Sequence, residues 1–379
     1  MMIMKIGVLI HGPDVVDSGY AKIILDTLHA EDDVVAILGG TMGKVAVMDA
    51  SLDDVIDISQ SLRPSSALEY LFDTCDAVYL LNHGKTTMTG ITFGNIVASR
   101  ITILQKVPFI QIERPGSEDG IMVAWNRAGC EDDGSSKELA DILGIEVSCR
   151  QPDHNTSRIE HVGNRTIRKI AGAQPQEVIM VNGIVIGRAR SHDVAIVFED
   201  GFVVDIRGGE LKIHGAEKLH QYAERIPVDV DNVWIKTGLI RRSSAPPKNR
   251  GMHESNGTFV KAMLIDHDAE RAVDMRTDCN IAVTVGDDTT AIAGDILYRF
   301  SVPIIGIIDG DGDDFFRAQN PFPGSIVLRV NSGYDDITGQ RIRAEIFKNE
   351  IYIISESMEA IKARIFAIIG DRLKSVTKY

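Results

Sequence analysis

No run of apolar residues in this chain reaches the roughly 18 that a membrane-spanning helix needs, and the start, MMIMKIGVLIHGP, turns into a strand rather than a signal peptide. Cysteine is scarce. Cys75, Cys130, Cys149 and Cys279 form no C-x-x-C pair, which argues against a zinc site or a disulfide frame and for reduced thiols in a cytoplasmic protein. Positive charge is also short: 40 Lys and Arg against 54 Asp and Glu give a net charge of −14. That balance argues against a general nucleic-acid binder and an anionic-membrane binder. What remains is a globular chain of 379 residues with 44% hydrophobic content, enough for two or three domains.

The most informative stretch runs from Asn280 to Phe316. Ile281 to Val285 is β-branched and apolar, Gly286-Asp287-Asp288 breaks it, and Ile292, Ile296, Leu297 and Phe300 share one helical face. Pro303 stops the helix, and Ile304 to Ile308 is a second strand ending in DGDGDD. A strand-helix-strand of this length predicts a right-handed parallel unit. Both acidic turns then lie at the C-terminal edge of one sheet, where open α/β sheets bind ligands. Carboxylates packed so closely call for a cation or a ring of basic groups, and oxygen-only ligands favour Mg²⁺, Mn²⁺ or Ca²⁺, of which Mg²⁺ or Mn²⁺ is the expectation. Asp287, Asp288, Asp309 and Asp311 are the candidate metal ligands, with Thr289 and Thr290 as donors to phosphate oxygens. Asp288 reads equally as a helix N-cap, and DGDGDD as a solvated turn.

Upstream, strands at Lys5–Ile10, Val34–Leu38, Ala77–Leu81 and Val107–Ile112 alternate with helical patterns. Val45–Met48 reads as a further short strand, Leu52–Leu62 as a helix, and residues 117–150 as a loop with a helical hairpin. Alternation of this kind predicts a parallel, doubly wound sheet. Its strand ends carry HGPD, GGTMGK, NHGKTT and ERPG. Glycines that admit backbone amides, together with lysines, suit an anionic small molecule. The candidate ligand contacts are His11, Gly12, Asp14, Gly40, Thr41, Gly43, Lys44, Gly84, Lys85, Thr86 and Arg114. GKTT is no Walker A loop, because Tyr79 stands where the first glycine belongs, and GGTMGK is not G-x-G-x-x-G. His11 and His83 read first as polar loop residues.

Composition then shifts. Residues 151–168 read as a polar connector, and Val178–Gly209 is β throughout, with hairpin signals at Asn182-Gly183 and Asp200-Gly201. This antiparallel segment suits an interface, with a protein partner or a second copy of the chain. The loop KTGLIRRSSAPPKNRG has five basic residues and no acidic one, and reads either as a solvated linker or as a phosphate clamp through Arg241 and Arg242. The expected organisation is two parallel-sheet Rossmann-like α/β domains, residues 1–150 and 255–379, joined by a connector and antiparallel β segment over 151–254.

The Asn280–Phe316 unit resembles the acidic strand ends of the Toprim fold and of the thiamin and archaeal pterin pyrophosphokinases. The whole chain resembles an uncharacterised family of methanogenic archaea that carries only a domain-of-unknown-function label. HGPDVVDSGYA, LGGTMGKVAVMDAS, IERPG, IRGG with KIHGAEKL, KTGLIRR and VGDDTTAIAGDILYRFSVPIIGIIDGD carry that resemblance. It implies a cytoplasmic archaeal protein and supplies no catalytic residue. The expectation is a divalent-metal-dependent enzyme acting on a phosphorylated or nucleotide-like small molecule. The alternative is an accessory protein that binds a cofactor or metabolite without chemistry.

Overall fold

The computed structural model describes residues 3–40, 43–60, 62–101, 107–131, 135–153, 158–220, 225–238, 241, 259–266, 269, 271–274, 279–310 and 321–379. Contacts divide the chain into two compact units, Met1–Ser243 and Ser244–Tyr379.

In the first unit the strands β1 (Lys5–His11), β2 (Asp33–Gly39), β3 (Ile56–Asp57), β4 (Ala77–Asn82), β5 (Phe109–Glu113), β6 (Ile121–Ala124) and β7 (Glu146–Cys149) form one sheet. Its order is β3-β2-β1-β4-β5-β6-β7. All neighbours are parallel except β5 and β6. The intervening helices are α1 (Asp14–Asp17), α2 (Tyr20–His29), α3 (Lys44–Asp49), α4 (Pro64–Thr74), α5 (Thr87–Ser99), α6 (Arg127–Cys130) and α7 (Ser135–Leu143). Every residue of β4 is buried, as a strand covered on both faces requires, and this explains its unbroken AVYLL run. The chain builds the sheet outwards from β1 through β2 to β3, then returns to the other side of β1 with β4. The direction therefore reverses between β1 and β4.

Several local expectations are corrected. Val45–Met48 lies in helix α3, where Val47 N–H donates to the Gly43 carbonyl at 3.0 Å. A four-residue apolar run has too little length to show its period. Of the expected helix Leu52–Leu62, residues 52–60 are not helical: they hold β3 and a turn in which Asp57 accepts from Ser59 and Gln60. Such side-chain bonds compete with the helix. Residues 117–150 hold two strands, β6 and β7, besides short helices, and Cys130 and Cys149 are bridged, with Cα atoms 5.6 Å apart.

The connector is also structured. Strands β8 (Ile159–Val162), β9 (Arg165–Ile170), β10 (Val178–Val181), β11 (Ile184–Ala189), β12 (Val194–Glu199), β13 (Phe202–Arg207), β14 (Gly209–Leu211) and β15 (Ile235–Thr237) form two four-stranded sheets, β14-β11-β10-β15 and β13-β12-β9-β8. Ile179, Val181 and Ile186 of one sheet share a core with Val194, Ile196 and Phe198 of the other, so the pair is a sandwich. The helix α8 (Ile213–Leu219) packs on β11.

The second unit has strands β16 (Val260–Asp266), β17 (Ile281–Val285), β18 (Ile304–Ile308), β19 (Ile326–Val330), β20 (Tyr352–Ser355) and β21 (Leu373–Lys378), in the order β20-β16-β17-β18-β19-β21. The four central strands are parallel and both edge strands antiparallel. Helices α9 (Arg271–Asp274), α10 (Asp287–Tyr298), α11 (Asp335–Arg341) and α12 (Met358–Ile369) accompany it. The last helix stops at Ile369, and residues 373–378 pair with β19 as β21. Leu264, Val283, Ile305 and Leu328 pack with Ile342, Phe347, Ile361 and Ile365 to form the core on one face of the sheet. Among the described residues, no helix is long and apolar enough to cross a membrane.

Candidate functional sites

In the first unit, a cleft of about 190 Å³ opens where the strand order reverses, which is where open α/β sheets bind ligands. It is lined by His11 at the end of β1 with Gly12 and Asp14 beyond it, by Asn82 at the end of β4 with His83, Gly84 and Lys85 beyond it, and by Gly90 and Phe93 of α5 and Lys236 of β15. Beneath it lies a row of polar side chains at matched positions on three neighbouring strands: His11 of β1 pairs in register with Asn82 of β4, and Asn82 with Glu113 of β5. His11 Nδ1 is 2.8 Å from Asn82 Oδ1. Asn82 Nδ2 donates to Glu113 Oε2 at 2.7 Å, and Gln111 Nε2 donates to the same oxygen at 2.7 Å. The Gly84 amide donates to Glu113 Oε1 at 2.6 Å. Glu113 and Gln111 are fully buried.

Two environments set the protonation of this row. Burial drives the His11 pKa down to about 4; the Asn82 hydrogen bond raises it and the nearby Lys236 ammonium lowers it. The His11 ring lies flat on Phe93, with centroids 3.8 Å apart. Desolvation pushes the Glu113 carboxyl up from its ordinary value, against the bonds from Asn82, Gly84 and Gln111 and the charge of Arg114. Gly90 exists to admit that carboxyl: a Cβ there would sit 1.9 Å from Glu113 Cδ.

The remaining candidates of this unit divide. Lys85 reaches across to the sandwich, donating to Glu177 at 2.5 Å, to Thr237 at 2.9 Å and to the Gly172 carbonyl at 3.3 Å. Arg114 braces the same loop by donating to the Gly84 carbonyl at 2.6 Å. Thr86 caps α5, accepting from the Thr89 amide. Gly40 and Gly43 do not line the cleft, although Gly43 abuts the Gly12 carbonyl. Lys44 is buried at the start of α3. Arg241 donates from Nε and Nη2 to Asp17 and from Nη1 to Asp49, so its fork is held by carboxylates rather than turned to an anion. Thr41 and Arg242 lie outside the described residues.

In the second unit, Asp287 follows β17, Asp309 follows β18 and Asp335 opens α11 just after β19. One carboxylate oxygen of each lies within 4.8 Å of the others. Asp309 and Asp335 are buried. Asp287 Oδ2 accepts from the amides of Asp309 and Gly310, at 3.3 and 3.2 Å, and Asp309 Oδ2 accepts from the Gly333 amide at 2.6 Å. The turn is braced by Arg329, which donates to the carbonyls of Asp309 and Gly310 at 3.4 and 3.2 Å. Gly310 adopts φ +76°, and a Cβ there would meet the Arg329 guanidinium at 2.2 Å.

The third member of this cluster is thus Asp335 and not Asp288. Asp311 lies outside the described residues. Thr290 is turned inward, its hydroxyl 2.9 Å from that of Thr284 and its methyl against Gly306, and Thr289 is buried too. The row of Asn82, Gln111 and Glu113 carried one legible signal, polar residues inside apolar strands (LLN and IQIE).

A family of proteins described as uncharacterized and conserved in archaea, DUF2117, matches residues 8–350. The chain belongs to this family. An uncharacterized protein of Methanocaldococcus jannaschii is 40% identical to it over 365 residues, which cover 95% of this chain and 96% of that protein. No solved structure matches.

Proposed function

We propose that this archaeal protein is a divalent-metal-dependent enzyme acting on a phosphorylated or nucleotide-like small molecule, with Asp287, Asp309 and Asp335 holding Mg²⁺ or Mn²⁺. The observation that carries this reading is the convergence of three carboxylates, within 4.8 Å, at the C-terminal ends of three adjacent parallel strands. Hard oxygen donors suit these ions, and Mg²⁺ leaves water or substrate phosphate in its remaining positions. The metal would supply charge neutralisation and a template for the phosphate oxygens. Arg329 fixes the turn that presents Asp309.

One set of observations favours the alternative, a binding protein without chemistry. Arg241 is engaged by Asp17 and Asp49, and Thr290 by Thr284, so two of the groups expected to handle a transferred phosphoryl are committed to structure. Metal-dependent turnover of nucleoside triphosphates separates the two readings.

The metal site is tested by calorimetric melts of wild type and Asp309→Asn with and without Mg²⁺. An ion at a hundredfold excess over its Kd stabilises the folded state by about 2.7 kcal/mol. Wild type should gain that increment and the variant should not. Equal responses would sink the metal reading.

A further inference from the structure

The hydrogen bonds under the first unit's cleft have a direction. An indole nitrogen can only donate, and Trp125 Nε1 donates to Gln111 Oε1 at 2.9 Å. This fixes the Gln111 amide, so its Nε2 faces Glu113 and the Gly90 carbonyl, 2.9 Å away. Glu113 then accepts on both oxygens, from Gln111 on one and from the Gly84 amide on the other. As a carboxylate it can only accept from Asn82 as well, which turns Asn82 Nδ2 to Glu113 and Asn82 Oδ1 to His11. An oxygen acceptor at Nδ1 requires the proton there. The polarity set by the Glu113 carboxylate therefore travels through Asn82 and leaves His11 Nε2 without a proton.

That nitrogen has no protein partner among the described residues, while His11 lines the cleft beside Lys236. The cleft, about 190 Å³, is smaller than the roughly 300 Å³ at which pockets for drug-sized ligands begin, which suits a compact ligand. We propose that this cleft is a binding site for a small phosphate monoester carrying a free hydroxyl, which donates to His11 Nε2 while the phosphate lies near Lys236. Asn82 and Glu113 are positioning residues, acting through the His11 tautomer. A neutral acceptor beside a cation explains why the cleft pairs a histidine held off protonation with a lysine. The site is independent of the acidic cluster in the second unit.

The test uses the whole protein at pH 8 with a chelator present, so that no metal contributes. Nitrogen-15 spectra of His11 should show the Nδ1–H tautomer in wild type. In Glu113→Gln the balance should relax towards the Nε2–H form that free imidazole favours. Glycerol 3-phosphate should shift the Nε2 resonance and bind about tenfold tighter than methyl phosphate, which lacks the hydroxyl. His11→Phe, which keeps the stack on Phe93, should bind both probes equally. An Nε2–H tautomer in wild type, equal affinity for the two phosphates, or no binding of either would each overturn the proposal. The wild-type tautomer and affinities need no variant, so a misfolded variant cannot rescue it.

Discussion

Protonating His11 should cost the first unit stability in a defined pH window. The ordinary histidine value is 6.5 and burial lowers it to about 4 in the folded chain. Between these values the unfolded chain binds a proton that the folded chain refuses, so stability falls as pH drops, and the loss is complete below about 4. A shift of that size corresponds to about 3 kcal/mol if the ring were wholly enclosed. His11 keeps some exposure at the cleft, and solvent screening there reduces the expected loss to about 1–2 kcal/mol. Glu113 acts in the opposite sense: its raised pKa means that the folded chain takes up its proton first as pH falls below the raised value. A wild-type curve therefore mixes two opposed contributions. Subtracting the curve of His11→Phe removes Glu113 and leaves His11. The variant should start about 1 kcal/mol lower at pH 7, because Asn82 Oδ1 loses its donor. It should then lose 1–2 kcal/mol less than wild type between pH 6.5 and 4, by the same estimate. Urea denaturation followed by tryptophan fluorescence is the assay. Both tryptophans, Trp125 and Trp234, belong to the first unit, so the signal is not confused by the second. Parallel curves at all pH values would refute the reasoning.

Alanine at a helical glycine ordinarily stabilises by about 1 kcal/mol, but Gly90→Ala should destabilise by about 3 kcal/mol, because its methyl would displace the Glu113 carboxyl. Denaturation of Gly90→Ala with Glu113→Ala should show less loss than the sum of the two singles. Arg241→Ala leaves Asp17 and Asp49, which are only partly covered, without their shared guanidinium and should cost about 1 kcal/mol by the same fluorescence assay. Lysine there should recover only part, since one ammonium cannot reproduce the fork. Thiol titration in denaturant should count two free cysteines, Cys75 and Cys279, before reduction and four after it. Breaking the Cys130–Cys149 link should lower stability by about 3 kcal/mol.

The mixed α/β class was legible because the apolar runs at Ile6–Ile10, Val78–Leu81 and Ile281–Val285 are buried strands whose spacing leaves room for a helix between them. What stayed hidden depended on partners distant in sequence. Ile56–Asp57 is a strand only because β2 offers it a parallel edge, and residues 373–378 only because β19 does. The connector over 151–168 is polar because β8 is a largely exposed strand, so its sequence carries no apolar alternation to read. The same holds for the sites. The turns after β1, β4, β17 and β18 announce themselves through glycine and charge. Glu113 and Asp335 do not, because each gains its meaning from a side chain or carboxylate on another strand.

Glu113 shows why such residues matter more than the glycines that draw attention. A fully buried carboxylate is costly unless several donors converge on it. Here the donors are three nitrogen groups from two neighbouring strands and the Gly84 turn. They could have been supplied to any carboxylate in the sheet, but they are supplied at the one lateral position that abuts Asn82 and, through it, His11. A purely structural carboxylate has no need of a second amide to relay its polarity to a ring at the mouth of a cleft. An apolar residue at 113 would spare the protein the desolvation, and it would leave Asn82 free to rotate and His11 free to choose its tautomer. The burial is tolerated where it fixes one nitrogen of one histidine, which is the physical ground for placing ligand recognition at His11 rather than at the more conspicuous lysines beside it.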